Sequence, residues 1–136
     1  MRVNTYLNFP GNCEEAFMAY AKILGGTILA MMKAEKPEMG GPDFVGKIMH
    51  ARMKIGDRLL MGSDALPAHF HTPQGFSVNV DVDTPAEADR IYAALAEGGS
   101  QMMPIAETFW ARRFGMCVDR FGTPWMVNCE KPMESN

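Results

Sequence analysis

The strands of this chain are marked by positions that alternate between apolar and polar. In residues 3–9, VNTYLNF, and residues 76–82, FSVNVDV, one set of alternate positions is mainly apolar and the other mainly polar. Residues 47–55, KIMHARMKI, and residues 124–130, PWMVNCE, repeat this period. Because successive side chains of a strand point to opposite faces, the pattern predicts strands that bury one face and leave the other open.

Two other segments follow a helical period. In residues 13–24, CEEAFMAYAKIL, apolar residues recur every three or four positions, and Gly25-Gly26 follows. The second segment begins at residues 84–87, TPAE, which combine an N-cap threonine, a first-turn proline and a capping-box glutamate. Its apolar stripe ends before Gly98-Gly99. We therefore predict two helices, each of which stops at a glycine pair.

The order of these segments repeats along the chain. The glycine pairs lie 73 positions apart (98 minus 25), which is about half of the 136 residues. Each pair follows a strand and a helix and precedes three strand-like segments, at 27–34, 47–55 and 58–64 and again at 100–108, 113–118 and 124–130. The sequence therefore predicts an α+β fold of two βαβββ modules within one compact unit. The modules are residues 1–65 and 75–136, with a linker at 66–74 and a Pro- and Gly-rich covering loop at 35–46.

Composition and charge exclude several classes of function. Hydrophobic residues make up 47% of the chain and charged residues 21%, with a net charge of -3 and no long basic run. This balance is typical of a globular protein and does not favour nucleic acid as a partner. The chain has no stretch of roughly 20 apolar residues and no signal-peptide pattern at its N-terminus. We therefore expect no membrane association and a cytoplasmic location.

The cysteines and two of the histidines do not form a recognisable metal or disulfide motif. Cys13, Cys117 and Cys129 are an odd number of cysteines at wide spacing, which predicts reduced, buried and unreactive thiols. His69 and His71 form an HxH pair in the predicted linker, without a third ligand at a suitable spacing. We expect these two histidines to lie in a solvated loop.

The polar positions of the strands are the candidates for a functional site. If helices cover the apolar faces, the opposite faces carry most of the polar side chains of the strands. At each single position the alternative is a side chain that simply faces water. The candidates on the open faces are Asn4, Tyr6, Asn8, His50, Arg52, Asp64, Ser77, Asn79, Met126 and Asn128.

Several phrases of the sequence resemble a known superfamily. The helix end AYAKILGG, residues 19–26, and the late phrase DRFGTPW, residues 119–125, are similar to the glyoxalase, bleomycin-resistance and extradiol-dioxygenase superfamily, which has the vicinal-oxygen-chelate fold. The phrases YLNF, KIMHA, MGSD and ETFW resemble its PhnB-like branch. The resemblance covers nearly the whole chain. It implies two curled mixed sheets around a cleft, and a homodimer whose subunits can exchange strands.

Metal-using members of that superfamily place His, Gln or Glu on the first, fourth, fifth and eighth strands. Matched strand by strand, the corresponding residues here are Asn4 (or Thr5), Leu60 or Gly62, Ser77, and Met126. Asn, Gly, Ser and Met together do not make a competent site for a divalent cation. We therefore expect neither a metal site nor another cofactor.

The first hypothesis for the function is a metal-free protein that binds a small molecule in the cleft. The open-face residues would line the pocket with help from Phe114, Met116 and Trp110, and the loop of Phe109 and Trp110 would fold over its opening. For Trp125 we expect packing in the core, whereas Trp110 fits either the core or a loop over the opening. The ligand-binding residues that we predict are Tyr6, Asn8, Arg52, Asp64, Ser77, Asn79, Trp110, Phe114, Met126 and Asn128.

Two alternatives remain open from the sequence. In the first, the protein is an enzyme of the lyase, isomerase or oxygenase type, metal-dependent or metal-free, that acts on a small oxygenated substrate. His50 would be a general base, with Asp64 or Glu107 as its partner, although Glu107 also fits a surface pair with Arg112 or Arg113. In the second, the chain is a non-catalytic dimeric interaction protein. A methyl transferase is not indicated, because no GxGxxG-like loop occurs in the sequence.

Overall fold

The computed structural model describes residues 1–132 and contains two βαβββ modules in succession. The first module consists of β1 (Thr5–Phe9), α1 (Cys13–Leu24), β2 (Thr27–Lys33), β3 (Ile48–Ile55) and β4 (Arg58–Asp64), with a short 3₁₀ turn at Pro42–Phe44. The second consists of β5 (Val78–Asp81), α2 (Pro85–Ala96), β6 (Ser100–Ala106), β7 (Ala111–Val118) and β8 (Pro124–Glu130). The predicted α+β fold with a duplicated βαβββ order is confirmed.

Each module forms its own four-stranded mixed sheet with the same topology. The strand order is β1-β4-β3-β2 in the first sheet and β5-β8-β7-β6 in the second. In each sheet the pair at one edge is parallel, β1–β4 in the first sheet and β5–β8 in the second. All other neighbouring strands are antiparallel. The chain divides into two compact units, of which the first is Met1–His71 and the second begins at Thr72.

In the first module, α1 covers one face of the sheet with aromatic side chains. Phe17 and Tyr20 of the helix are fully buried and contact Phe9 of β1, with ring centroids 6.1 and 6.5 Å from that of Phe9. Gly62 lies beneath the helix, where an added Cβ would come within 2.9 Å of both the Leu7 carbonyl oxygen and the Phe17 ring. A glycine at this position allows the helix to approach the sheet closely.

In the second module, α2 is capped as the sequence predicts. Thr84 Oγ1 accepts a hydrogen bond from the backbone N–H of Glu87 at 3.2 Å, and Pro85 is the first helical residue.

Trp125 is 1% exposed, and its Nε1 donates to Asp119 Oδ2 at 2.8 Å. The expectation that Trp125 packs in the core is therefore confirmed.

The strand predicted for residues 76–82 is too long at its start. β5 begins at Val78, which pairs with Trp125 of β8 in parallel register. In the same register Ser77 would lie opposite Pro124, and proline has no backbone N–H for a ladder hydrogen bond. Ser77 therefore precedes the strand, and the expectation that it occupies a strand face is wrong.

Cys13, Cys117 and Cys129 are free and buried, so their predicted burial is confirmed. Within residues 1–132, no helix is long and apolar enough to cross a membrane.

Candidate functional site

The face of the first sheet that points away from α1, which we call the first open face, carries polar and cationic side chains. Strand pairing places Tyr6 beside Met61, Met61 beside Arg52, and Arg52 beside Ala30. In the next row, Asn8 lies beside Ser63 and His50 beside Met32. Of the predicted residues, this face brings together Tyr6, Asn8, His50 and Arg52.

Tyr6 and His50 form the most specific contact of the first open face. The Tyr6 hydroxyl lies 3.2 Å from His50 Nδ1, within hydrogen-bond distance, and the imidazole tautomer decides which group donates. The two rings are stacked, with centroids 5.8 Å apart and an interplanar angle of 21°. Tyr6 is 45% exposed. The contact orients the imidazole and leaves its second ring nitrogen available to a ligand.

Asn8 of β1 and Asn4, which precedes β1, accept hydrogen bonds within the first sheet through their side-chain oxygens. Ser63 Oγ donates to Asn8 Oδ1 at 3.4 Å, and the Leu59 backbone N–H donates to Asn4 Oδ1 at 3.2 Å. Because each amide oxygen is already an acceptor, the NH₂ group of Asn8 remains a donor that can face a ligand.

Asp64 does not lie on the first open face, and the prediction that it faces the cleft is wrong. Its carboxylate is buried and accepts hydrogen bonds from the backbone N–H of Cys13 at 2.9 Å and of Ile48 at 2.8 Å. Asp64 therefore caps the start of α1 and holds the start of β3. Leu60 and Gly62 share this buried side of β4, so neither of them lies on the open face.

The second sheet has an equivalent surface on the side away from α2, which we call the second open face. Met126 pairs with Asn79 of β5 and with Met116 of β7. Asn128 Nδ2 donates to Asp81 Oδ1 at 3.1 Å, while Asn128 Oδ1 is buried without a hydrogen-bond partner. Of the predicted ligand-binding residues, this face brings together Asn79, Met126 and Asn128.

An aromatic cluster borders the second open face. Trp110 makes edge-on contacts with Phe109 and Phe114, at centroid distances of 4.8 and 5.4 Å. Phe114 pairs with Asn128 and is 7% exposed, whereas Trp110 is 45% exposed and Phe109 is 88% exposed. Trp110 therefore does not lie in the core, and Phe114 packs beneath it.

Glu107 lies in the exposed loop between β6 and β7. The arginines that could have paired with it have other partners among the described residues. Arg112 donates to the carbonyl oxygens of Glu130 and Asp83 at 2.9 and 2.8 Å, and Arg113 donates to Asp89 at 2.8 Å. The surface pair that we considered for Glu107 therefore does not form.

On the strands that carry the ligands in metal-using members of the superfamily, the side chains of this chain do not suit a divalent cation. The open side of β1 and β4 offers asparagine, tyrosine, methionine and serine, and Met126 occupies the corresponding place on β8. Such neutral donors do not hold a divalent ion without several carboxylate or imidazole ligands. No group of three or more His, Cys, Asp or Glu residues that could bind a metal occurs in the described part of the chain, where His69 and His71 are exposed in the linker.

The thiols of Cys13 and Cys117 are unsuited to nucleophilic chemistry at neutral pH. Burial, together with the nearby carboxylates of Asp64 and Glu14, raises the pKa of Cys13 to about 12. Burial and the charge of Asp119 raise the pKa of Cys117 to about 11. A thiol with such a high pKa is protonated and therefore a poor nucleophile.

Sequence reasoning missed several open-face residues, among them Ala30, Met32, Met61 and Ser63. The β2 strand contains register shifts between Ile28 and Ala30 and between Met32 and Lys33. A bulge interrupts the two-residue period, so alternation could not assign faces in this strand. Residues 58–61, RLLM, contain three apolar residues in succession and give no contrast between faces.

Comparison with known proteins places this architecture in a defined family. Residues 1–128 match the model of the family described as 3-demethylubiquinone-9 3-methyltransferase. Protein YjdN of Escherichia coli (strain K12) is 35% identical over 144 aligned residues, which cover 96% of this chain and 97% of that protein. The crystal structure of protein PA1353 from Pseudomonas aeruginosa is 48% identical, with a TM-score of 0.86 over 97% of this chain and 99% of that one.

Structures with lower identity show the same fold. A putative 3-demethylubiquinone-9 3-methyltransferase, the PhnB protein from Bacillus cereus, is 24% identical with a TM-score of 0.83, over 95% of this chain and 99% of that one. A glyoxylase/bleomycin resistance protein/dioxygenase domain from Frankia sp. EAN1pec is 12% identical, with a TM-score of 0.69 over 96% of this chain and 98% of that one. The chain therefore belongs to the family described as 3-demethylubiquinone-9 3-methyltransferase, and it shares the fold of the PhnB protein and of the glyoxylase/bleomycin resistance protein/dioxygenase domain.

Proposed function

We propose that this protein binds a small oxygenated organic molecule on the first open face, without a divalent metal. The observation that carries the proposal is the stacked and hydrogen-bonded pair of Tyr6 and His50. Such a pair holds a planar, polar group at a fixed place on a sheet surface. The side chains of Met32 and Met61 beside the pair supply an apolar floor that adapts to the shape of a ligand.

The composition of this surface supports a ligand site. Small-molecule sites combine apolar contact area with a few oriented polar groups. Here the apolar area comes from the methionines and the Tyr6 ring, and the polar groups are the imidazole of His50 and the amide of Asn8. We propose binding rather than the methyl transfer that the family's description names, because the sequence has no GxGxxG loop for a nucleoside-containing methyl donor.

The same contact favours a second candidate function, proton transfer by an enzyme of the isomerase or lyase type. A histidine that is oriented by a hydroxyl group can remove a proton from a carbon next to a carbonyl group. The partner of His50 in this scheme is Tyr6, at 3.2 Å, because Asp64 is occupied in the core.

Ligand binding can be tested by NMR with isotopically labelled protein. We expect small aromatic carbonyl and hydroxyl compounds to shift the amide signals of β1, β3 and β4, and His50→Ala to weaken this binding at least fivefold. His71→Ala is the matched control, because that histidine is exposed in the linker. Binding that leaves the first sheet unaffected, or that His50→Ala and His71→Ala weaken equally, would contradict the proposal.

We also propose that the protein forms a homodimer. Phe109 and Trp110 contact each other and are 88% and 45% exposed in the single chain, and clustered exposed apolar side chains favour association. Light scattering after size-exclusion chromatography tests this proposal directly. A monomeric mass at 0.1 mM protein would refute it.

A further inference from the structure

The strand β3 gives the first open face an unusual charge pattern. His50, Arg52 and Lys54 occupy alternate positions of β3 and therefore point to the same side of the sheet. Their backbone positions are separated by about 7 Å along the strand. The alternate residues Ala51 and Met53 are fully buried beneath α1, which fixes this orientation.

Among residues 1–132, strand pairing places no acidic side chain beside Arg52 or Lys54 on the first open face. The neighbours of β3 on this face are all uncharged, and so are the residues of β1 beyond β4. They are Thr27, Ala30 and Met32 of β2, Leu59, Met61 and Ser63 of β4, and Asn4, Tyr6 and Asn8 of β1 and the residue before it. Elsewhere in the first module, Asp64 is bonded in the core, Asp57 pairs with Arg58, and Glu14 pairs with Lys33. The other acidic residues of the module lie outside its strands: Glu15 in α1, and Glu35, Glu38 and Asp43 between β2 and β3. Among residues 1–132, the salt bridges do not include Arg52 or Lys54.

The guanidinium group of Arg52 is well placed for a ligand. Arg52 is half-buried, and its cross-strand neighbour Ala30 is too small to cover it. On its other side Arg52 lies beside Met61, which in turn lies beside Tyr6. A guanidinium presents parallel N–H donors that match the two oxygens of a carboxylate or of a phosphorus oxyanion.

We propose that the ligand of the first open face is an organic oxyanion, whose anionic group binds Arg52 with support from Lys54. Its remaining oxygenated part lies against Tyr6 and His50. This inference rests on the proposed function, since it names the chemical class of the molecule that binds there. An anion relieves the repulsion among the cations of β3, so the site selects charge as well as shape.

Pairs of compounds that differ in charge but not in body test the inference. Benzoate and phenylphosphonate would be compared with benzamide and benzyl alcohol by NMR titration at 50 mM NaCl. We expect at least one anion to bind tenfold more tightly than both neutral compounds, and 0.5 M NaCl to reduce that preference severalfold. The two anions distinguish a carboxylate site from a phosphonate site.

Variants of Arg52 assign the effect to this face. Arg52→Gln should abolish the preference for the anion, and Arg52→Lys should retain only part of it because the forked donors are lost. Arg58→Gln is the matched control: it removes the same charge from the same sheet, but Arg58 pairs with Ile55, on the side opposite Lys54. It should keep the full preference.

The outcomes separate this inference from the proposed function. Equal binding of neutral and anionic compounds, with loss of both in His50→Ala, would overturn the anion class and retain the site. Equal loss of the preference in Arg52→Gln and Arg58→Gln would also overturn it. If none of the four compounds shifts the amides of the first sheet at 10 mM, both proposals fail.

Discussion

The two sheets of this protein share a topology but present different chemistry on their open faces. The first open face carries the cations of β3 beside the Tyr6–His50 pair. The second open face carries the hydrogen-bonded pair of Asn128 and Asp81, with methionines and an aromatic cluster at its border. The faces beneath the helices, by contrast, are both lined by buried apolar side chains, among them Leu7 and Met53 in the first module and Trp125 and Val127 in the second. Packing constrains the covered faces, whereas the open faces are free to differ.

Each module also uses one buried aspartate to hold its loops, and these residues give the largest effects that we predict. Asp64 accepts two backbone N–H groups, whereas Asp119 accepts two backbone N–H groups and the indole N–H of Trp125. Replacement of either by alanine leaves buried donors unpaired, at a cost of about 1–3 kcal/mol for each donor. We expect Asp119→Ala to lower the free energy of unfolding by about 4 kcal/mol and Asp64→Ala by about 3 kcal/mol.

Urea denaturation of the two variants checks the ranking. Asp57→Ala serves as the control, because Asp57 is exposed and should change the free energy of unfolding by less than about 0.5 kcal/mol. A loss of stability in Asp64→Ala as small as that of Asp57→Ala would show that the carboxylate does not hold α1 and β3 together.

The buried thiols predict a loss of stability at alkaline pH in both modules. The pKa values of Cys13 and Cys117 are raised from the ordinary 9.0 to about 12 and about 11. A raised pKa in the folded state contributes stability that is complete below pH 9 and is lost as the pH rises toward the folded pKa. Each thiol should therefore lower the free energy of unfolding by up to about 1.4 kcal/mol per pH unit above pH 9.

Unfolding measured from pH 8 to pH 11 separates the two thiols. Cys13→Ala and Cys117→Ala should each be less stable at pH 8 because of lost packing, yet show a shallower decline above pH 9. An unchanged slope in Cys13→Ala would contradict the assignment of the alkaline loss to that thiol.

The smallest effect that we predict concerns the charge difference between the two open faces. Arg52→Gln and Lys54→Gln remove like charges from β3 and should each raise the free energy of unfolding by about 0.3 kcal/mol at low salt. The gain should disappear in 0.5 M NaCl, because screening weakens repulsion between exposed charges. A destabilisation that does not depend on salt would instead indicate a packing role for the Arg52 stem.

Particular residues show how far the sequence could predict the site. Ala51 and Met53 alternate with His50 and Arg52 in β3, so these polar side chains were assigned to the correct face; the alternation fails only at the start of the strand, where Ile48 is buried. Asp64 was assigned to the wrong face, because β4 has apolar residues on both of its faces. Gly62, which lies on the same side as Asp64, also has no side chain that would mark that side as buried. Its buried carboxylate is stabilised by backbone N–H groups 51 and 16 positions away, which no local pattern reveals.

The sequence by itself determined the duplicated βαβββ order, both helices, and the core position of Trp125. Periodicity, helix caps and glycine pairs are local signals, and they identify elements without knowledge of their neighbours. Only the tertiary structure decided that Tyr6 meets His50 across the intervening strand, that Ser77 lies before β5, and that the residues paired with Arg52 and Lys54 within 1–132 are uncharged. These features depend on strand order and register, which bring together residues that are distant along the chain.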